Sequence, residues 1–183
     1  MKNNIKLAIV LVASTLVGTS CLPDGNGTPP LETVPDVEVS RYLGKWYEIA
    51  SIPQFFSKGC KCTTAEYSQY PNGVLRVKNS CNLNTVSGFL NTIVGSAVPE
   101  RGSNNSKLKV SFTGTPTISN YWIIDLADDY SYAVVSDPLR TTCFILSRIP
   151  IMEETTYQYL LSKASSKGID ITKLKRTQQE GCQ

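Results

Sequence analysis

Six cysteines and no histidine set the chemistry open to this 183-residue chain. Cys60, Cys62 and Cys81 lie close enough in sequence to suggest a sulfur-ligated metal, and any thiol left free is a potential nucleophile. The Cys60-Lys61-Cys62 spacing is not that of a zinc knuckle, however. Without histidine there is no Ser-His-Asp or Cys-His pair, no His-bound zinc and no proximal-His haem. No metal, no cofactor and no catalytic residue is therefore expected. Cross-linking is the remaining use of the thiols, and it requires an oxidising compartment.

The start of the chain supplies that compartment. Lys2 and Lys6 precede an apolar stretch over 7–17, and Gly18-Thr19-Ser20 follow, so residues 1–20 read as an export signal too short to span a bilayer. Its removal takes two Lys and no acid, lowering the net charge from +3 to +1. A nearly neutral chain has no electrostatic attraction for nucleic acid, so no such partner is expected. Cys21 then becomes the first residue. It is expected either as half of a disulfide in a secreted protein or as the lipidated residue of a bacterial outer-membrane lipoprotein, the membrane contact then being the lipid on Cys21. Gly18 departs from the larger aliphatic residue usual three before such a cysteine. Lipidation would leave five thiols and hence one over; otherwise six allow three bridges. Asn26-Gly27-Thr28 and Asn104-Asn105-Ser106 are glycosylation sequons. Nothing in the sequence speaks to oligomeric state.

The elements that must position these residues are short. Pro and Gly over 21–36 exclude a helix or central strand and predict an extended arm, with the folded domain spanning 37–183. Segments rich in Val, Ile, Tyr and Phe then alternate with turns, predicting strands over 44–50, 63–70, 73–79, 85–98, 107–113, 120–126, 132–136 and 143–148. Pro71-Asn72-Gly73 and Asp128-Asp129-Tyr130-Ser131 read as hairpin turns. Eight sequential strands without helical crossovers predict an all-β, up-and-down antiparallel barrel, closed so that no edge is left exposed. One helix over 153–167, with a stripe of Tyr157, Leu160, Leu161 and Ala164 and Gly168 as its stop, is expected to pack outside, followed by a short strand in the tail. A barrel of eight strands holds either its own side chains or one small ligand.

Three further motifs narrow the choice. Gly44-Lys45-Trp46-Tyr47-Glu48 opens the first strand, Asp128-Asp129-Tyr130 forms the turn between the sixth and seventh, and Arg148 closes the eighth. In this order the sequence resembles the lipocalin family, with Asp128 where Thr is usual. It is most similar to the apolipoprotein D and bacterial lipocalin branch through 41–50, Phe56-Ser57-Lys58-Gly59, Tyr121-Trp122-Ile123-Ile124 and 144–150. The resemblance implies a calyx closed at one end by Trp46 packed against Arg148, and binding, transport or scavenging of a small hydrophobic ligand such as a fatty acid, lysophospholipid, sterol or pigment. It places Tyr67, Asn79, Trp122 and Phe144 on the pocket wall. Asn79 is the sharpest of these, because a buried amide needs a partner. Phe55 and Phe56, adjacent aromatics in the first loop, are expected as a lip at the mouth. The resemblance also implies a Cys62–Cys182 bridge. The hairpin centred on Asn72 brings Cys60 and Cys81 near one another, which leaves Cys143 for Cys21 or free. Two alternatives stand beside ligand capture: a lipid isomerase using Cys60 or Cys143, and a protein-binding or inhibitory module acting through its loops.

Overall fold

The computed structural model describes residues 29–114 and 117–182. The expected signal segment, Cys21 and the Asn26 sequon lie outside the described residues. A single turn of helix, α1 (Val39–Tyr42), leads into β1 (Gly44–Ser51), β2 (Cys60–Gln69), β3 (Leu75–Leu83), β4 (Leu90–Pro99), β5 (Lys107–Ser111), β6 (Ser119–Leu126), β7 (Tyr132–Ser136) and β8 (Cys143–Ser147). The helix α2 (Glu154–Ser166) and a two-residue strand β9 (Lys175–Arg176) complete the chain. All pairings are antiparallel between neighbours, and β1 pairs with both β8 and β2, so the eight strands close into a barrel with β9 as an additional strand beside β1.

Alternation along the strands divides the apolar side chains between two sides of one wall. Trp46, Tyr67, Val77, Ile123, Val135 and Leu146 fill the inside. Their neighbours Ile124, Val134 and Ile145 face out and are covered by Tyr157, Leu160 and Ala164 of α2. The stop at Gly168 works as its residue type demands. Its φ of +81° lets the Ile169 N–H reach the Ala164 carbonyl at 3.1 Å, and Ile169 is buried by the same turn.

The expected start of the fourth strand at residue 85 is corrected by the turn before it. Gly88 sits so close to the Leu83 carbonyl that an added Cβ would lie 1.9 Å from its oxygen, so 84–89 forms the turn and pairing resumes at Leu90. The second strand starts earlier than expected, at Cys60, through a bulge between Lys61 and Thr64 in which Cys62 takes a φ of +55°. The described part of the arm is extended and lies on the barrel. Leu31 is buried, the Val34 N–H donates to the Ile123 carbonyl and the Val37 N–H to that of Asn104.

Candidate ligand cup

The strand ends at 44, 69, 75, 99, 107, 126, 132 and 147 gather at one end of the barrel, which is closed. Three segments meet there on Arg148. Its guanidinium donates to the carbonyls of Arg41 at 2.6 Å, Lys45 at 2.9 Å and Tyr130 at 3.3 Å, and stacks 3.7 Å from the centre of the fully buried Trp46 ring. Gly44 has a φ of +94°, so the first glycine of the motif is required by backbone conformation, while a Cβ there would only touch the Arg148 Nη1 at 3.4 Å. The Tyr130 hydroxyl accepts from the Glu38 N–H, and the Arg41 guanidinium lies 4.1 Å above the Tyr130 ring. Between α1 and the barrel, the cavity bounded by Val37, Tyr42, Leu75, Leu108 and Ile123 is only about 10 Å³.

Above this plug lies a chain of three hydroxyls. Tyr67 donates to Tyr121 at 2.8 Å, and Tyr121 and Tyr42 share a second bond of 2.8 Å. Burial pushes the Tyr67 hydroxyl up to about 12, and raises Tyr42 and Tyr121 well above the ordinary tyrosine value, so these three hydroxyls are uncharged at any biological pH.

Along the wall, Asn79 of β3 lies opposite Ala65 of β2 and Ile93 of β4, on the same face as the buried Val77. Its Oδ1 is sealed from solvent and has no hydrogen-bond partner. Turning the amide over would seal an N–H instead, so either orientation leaves one polar atom facing an apolar wall. Phe144 of β8 stands nearer the mouth, opposite Ser51 and Val135, and packs on the inner cluster. Phe55 and Phe56 occupy a 3-10 turn (Phe55–Ser57) at the open end, 92% and 63% exposed, with their rings edge to face at 5.3 Å.

The structure thus brings Tyr67, Asn79 and Phe144 to the inner face and Phe55 and Phe56 to the mouth. Trp122 must be corrected. It packs on the outer cluster, its Nε1 donates to the Ser119 Oγ at 2.9 Å, and the Lys107 Nζ sits 3.9 Å over its ring. Strand alternation gives the inner position to its neighbour Tyr121, which the sequence reading passed over. Also passed over was Glu48, part of the first motif. It lies where β1 and β2 part and the tail fills the seam. Its carboxylate accepts from Ser51 and Thr177, and burial raises its pKa despite these two bonds. The Gln179 Nε2 closes the seam by donating to the carbonyls of Glu48 and Thr63.

Cys62 is bonded to Cys182, which fastens the tail at this seam, and Cys60 to Cys81, Cα to Cα 5.4 Å diagonally across the hairpin. These bonds occupy the sulfurs that could have ligated a metal. Cys143 is a free, fully buried thiol on the outer side beneath α2, pushed up to about 12 by burial and then by Asp137. Neither thiol named for an isomerase is available to the cup: Cys60 is oxidised and Cys143 faces the other way.

Known proteins agree with this architecture. A family model for the lipocalin-like domain matches residues 37–179. Temperature-induced lipocalin-1 of Arabidopsis thaliana is 38% identical over 81% of this chain and 83% of its own length. Outer membrane lipoprotein Blc of Escherichia coli K12 is 34% identical over 93% and 97%, and apolipoprotein D of Mus musculus is 38% identical over 85% and 82%. Among solved structures, insecticyanin from the tobacco hornworm Manduca sexta superposes with a TM-score of 0.63 over 82% of this chain and 85% of its own, at 23% identity. The chain therefore belongs to the lipocalin-like family, whose members bind small hydrophobic ligands.

Proposed function

We propose that this protein binds one small hydrophobic molecule in its barrel and carries or scavenges it, the candidates being a fatty acid, a lysophospholipid, a sterol or a pigment. The observation that supports this most directly is the amide of Asn79, half-buried in an apolar wall with one atom lacking any partner. An orphaned buried polar atom costs free energy in the empty protein; a ligand hydroxyl or protonated carboxyl would donate to this oxygen, and with the amide turned over a carboxylate or carbonyl would accept from its N–H. Apolar burial of the ligand body supplies the affinity, at roughly 25 cal/mol per Å². No step of this activity needs a catalyst.

Native mass spectrometry of the protein exported with its own leader tests the reading, followed by displacement of a fluorescent fatty acid by members of the four ligand classes. A co-purifying lipid, or saturable displacement at one site per chain, is expected. Failure of every class to bind would overturn capture and leave recognition of proteins by the loops. On localisation, the relatives include both an outer membrane lipoprotein and apolipoprotein D. Export is proposed here with Cys21 as the residue that decides the fate. A diacylglyceryl adduct in the denatured mass would place the protein on a membrane, and an unmodified Cys21 would make it a soluble carrier.

A further inference from the structure

The two ends of the barrel differ in what their connections expose. The closed-end loops 70–74, 100–106 and 127–131 carry Glu100, Arg101, Asp128 and Asp129. At the open end, each of the four connections or the strand end beside it holds a large apolar side chain out in solvent. Phe55 and Phe56 are 92% and 63% exposed, Phe89 and Leu90 90% and 69%, Ile118 71% and Leu139 78%. Exposed apolar residues scattered singly mean little, but six ringing one opening form a surface.

The charges at this end are mixed but positive in sum. Asp137, which accepts from the Thr142 N–H and the hydroxyls of Thr141 and Thr142 and keeps its charge, and Glu180 of the tail are outnumbered by Lys58, Lys61, Lys175 and Arg140, and Asp170 pairs with Lys173. Lys58, Lys61 and Lys175 have no salt-bridge partner among the described residues and stand just behind the apolar tips, on the first loop, at the start of β2 and beside Ser51. The chain also arrives from this side, since the Pro29 carbonyl accepts from Arg140 in the β7–β8 connection.

We propose that the open end is a docking surface for an anionic lipid bilayer, with the apolar rim inserted among the acyl chains and the lysines at headgroup level. The apolar tips sit on separate loops around an opening, without the flat, continuous face a rigid protein partner would need. A fluid surface meets such separated points, and its attraction adds apolar insertion to charge. Docking in this orientation sets the cup's mouth against the lipid, so a hydrophobic ligand could pass between the two without crossing water. It needs no acyl chain on Cys21 and holds whether or not the cup is loaded.

The test uses protein exported with its own leader and carrying Cys21→Ser, mixed with vesicles of phosphatidylcholine and phosphatidylglycerol in equal parts and read by cosedimentation. Binding is expected, weaker on phosphatidylcholine alone. The double variant Phe55→Ser/Phe89→Ser should lose at least about tenfold in partitioning, because each ring is almost wholly exposed in the free protein and has only the membrane to bury it. The pair Ile149→Ser/Ile151→Ser, also exposed but beyond β8 near the closed end, should bind as the parent does. Absence of vesicle binding overturns the proposal, as does equal loss in both double variants. Rim-dependent self-association in sedimentation without vesicle binding would reassign the face to a second copy of the chain. Fatty-acid displacement on the same samples reports folding and cup occupancy separately, so a failure of docking and a failure of ligand capture are distinguishable.

Discussion

Replacing Asn79 with leucine exchanges the two polar atoms on the cup wall for methyl groups on the same branched frame. In the empty protein the sealed amide atom has lost its water and gained nothing, a cost of about 1–3 kcal/mol. Leucine removes that cost and adds apolar contact with Ala65 and Ile93, its cross-strand neighbours. Asn79→Leu should therefore stabilise the unliganded protein by about 1–2 kcal/mol. For a domain of this size that raises Tm by about 2–8 °C. The ligand side moves oppositely. A fatty acid or hydroxylated sterol loses a hydrogen bond worth about 1.5–3 kcal/mol to a charged head, or about half that to a neutral one, so its Kd should rise about 3- to 150-fold. A hydrocarbon of equal length, with no polar head, should bind the variant at least as well as the parent.

Scanning calorimetry of delipidated protein and displacement titrations with matched polar and apolar ligands measure the two halves independently. A lowered Tm would mean that the amide is satisfied in the folded protein. An equal fall in affinity for the acid and the hydrocarbon would mean that Asn79 shapes the wall without addressing a head group. Either result refutes the reasoning.

Three other outcomes follow from the geometry. Arg148→Lys keeps the charge but not the fork that reaches three carbonyls, and should lower stability by about 2–3 kcal/mol in denaturant melts while leaving ligand affinity within about twofold. Cys143 should resist a thiol reagent in the folded protein and react once on unfolding, and Cys143→Ala should retain ligand binding; rapid labelling without unfolding would contradict its place beneath α2. For Glu48, burial raises the folded pKa above the ordinary 4.5, so the folded state holds this proton more tightly than the unfolded chain does. That stability is fully present below 4.5 and is lost as pH rises through the folded value. Glu48→Gln keeps the acceptor for Ser51 and Thr177 without the charge. It should melt above the parent at neutrality, with the difference closing in acid; a difference independent of pH would assign the effect to packing.

Strand order was legible because turn chemistry and alternation agree, and the closed end because its three motifs resemble those of a known family. In β3, Leu75 and Val77 alternate with Arg76 and Lys78, which fixes the phase of the strand and turns Asn79 inward. In β6, Tyr121-Trp122-Ile123-Ile124 offers no such phase, because both faces are covered, the inner by the barrel and the outer by the helix-side cluster. Periodicity cannot choose a side when every residue is apolar, so nothing in this segment could check the inward position that the resemblance implied for Trp122, which the structure places on the outer face. Bulges between Lys61 and Thr64, Leu108 and Lys109, and Ile123 and Asp125 shift the register further, and no residue type announces them.

The same division separates what makes the family readable from what selects a ligand. Gly44, Trp46, Tyr130 and Arg148 are engaged with one another and with backbone carbonyls at the closed end, where almost no volume remains for a guest. They secure the floor, and their identities follow from requirements internal to the chain: a left-handed backbone, an indole face, a fork of donors. On the proposed function, discrimination among ligands falls to the upper wall, to Asn79, Ile93 and Phe144, where side chains are only partly covered or a polar atom lacks a partner. Those positions obey no internal requirement beyond alternation. A motif that identifies the barrel is therefore silent on its cargo, and substitutions on the upper wall should change ligand preference at small cost in stability while substitutions in the floor do the reverse.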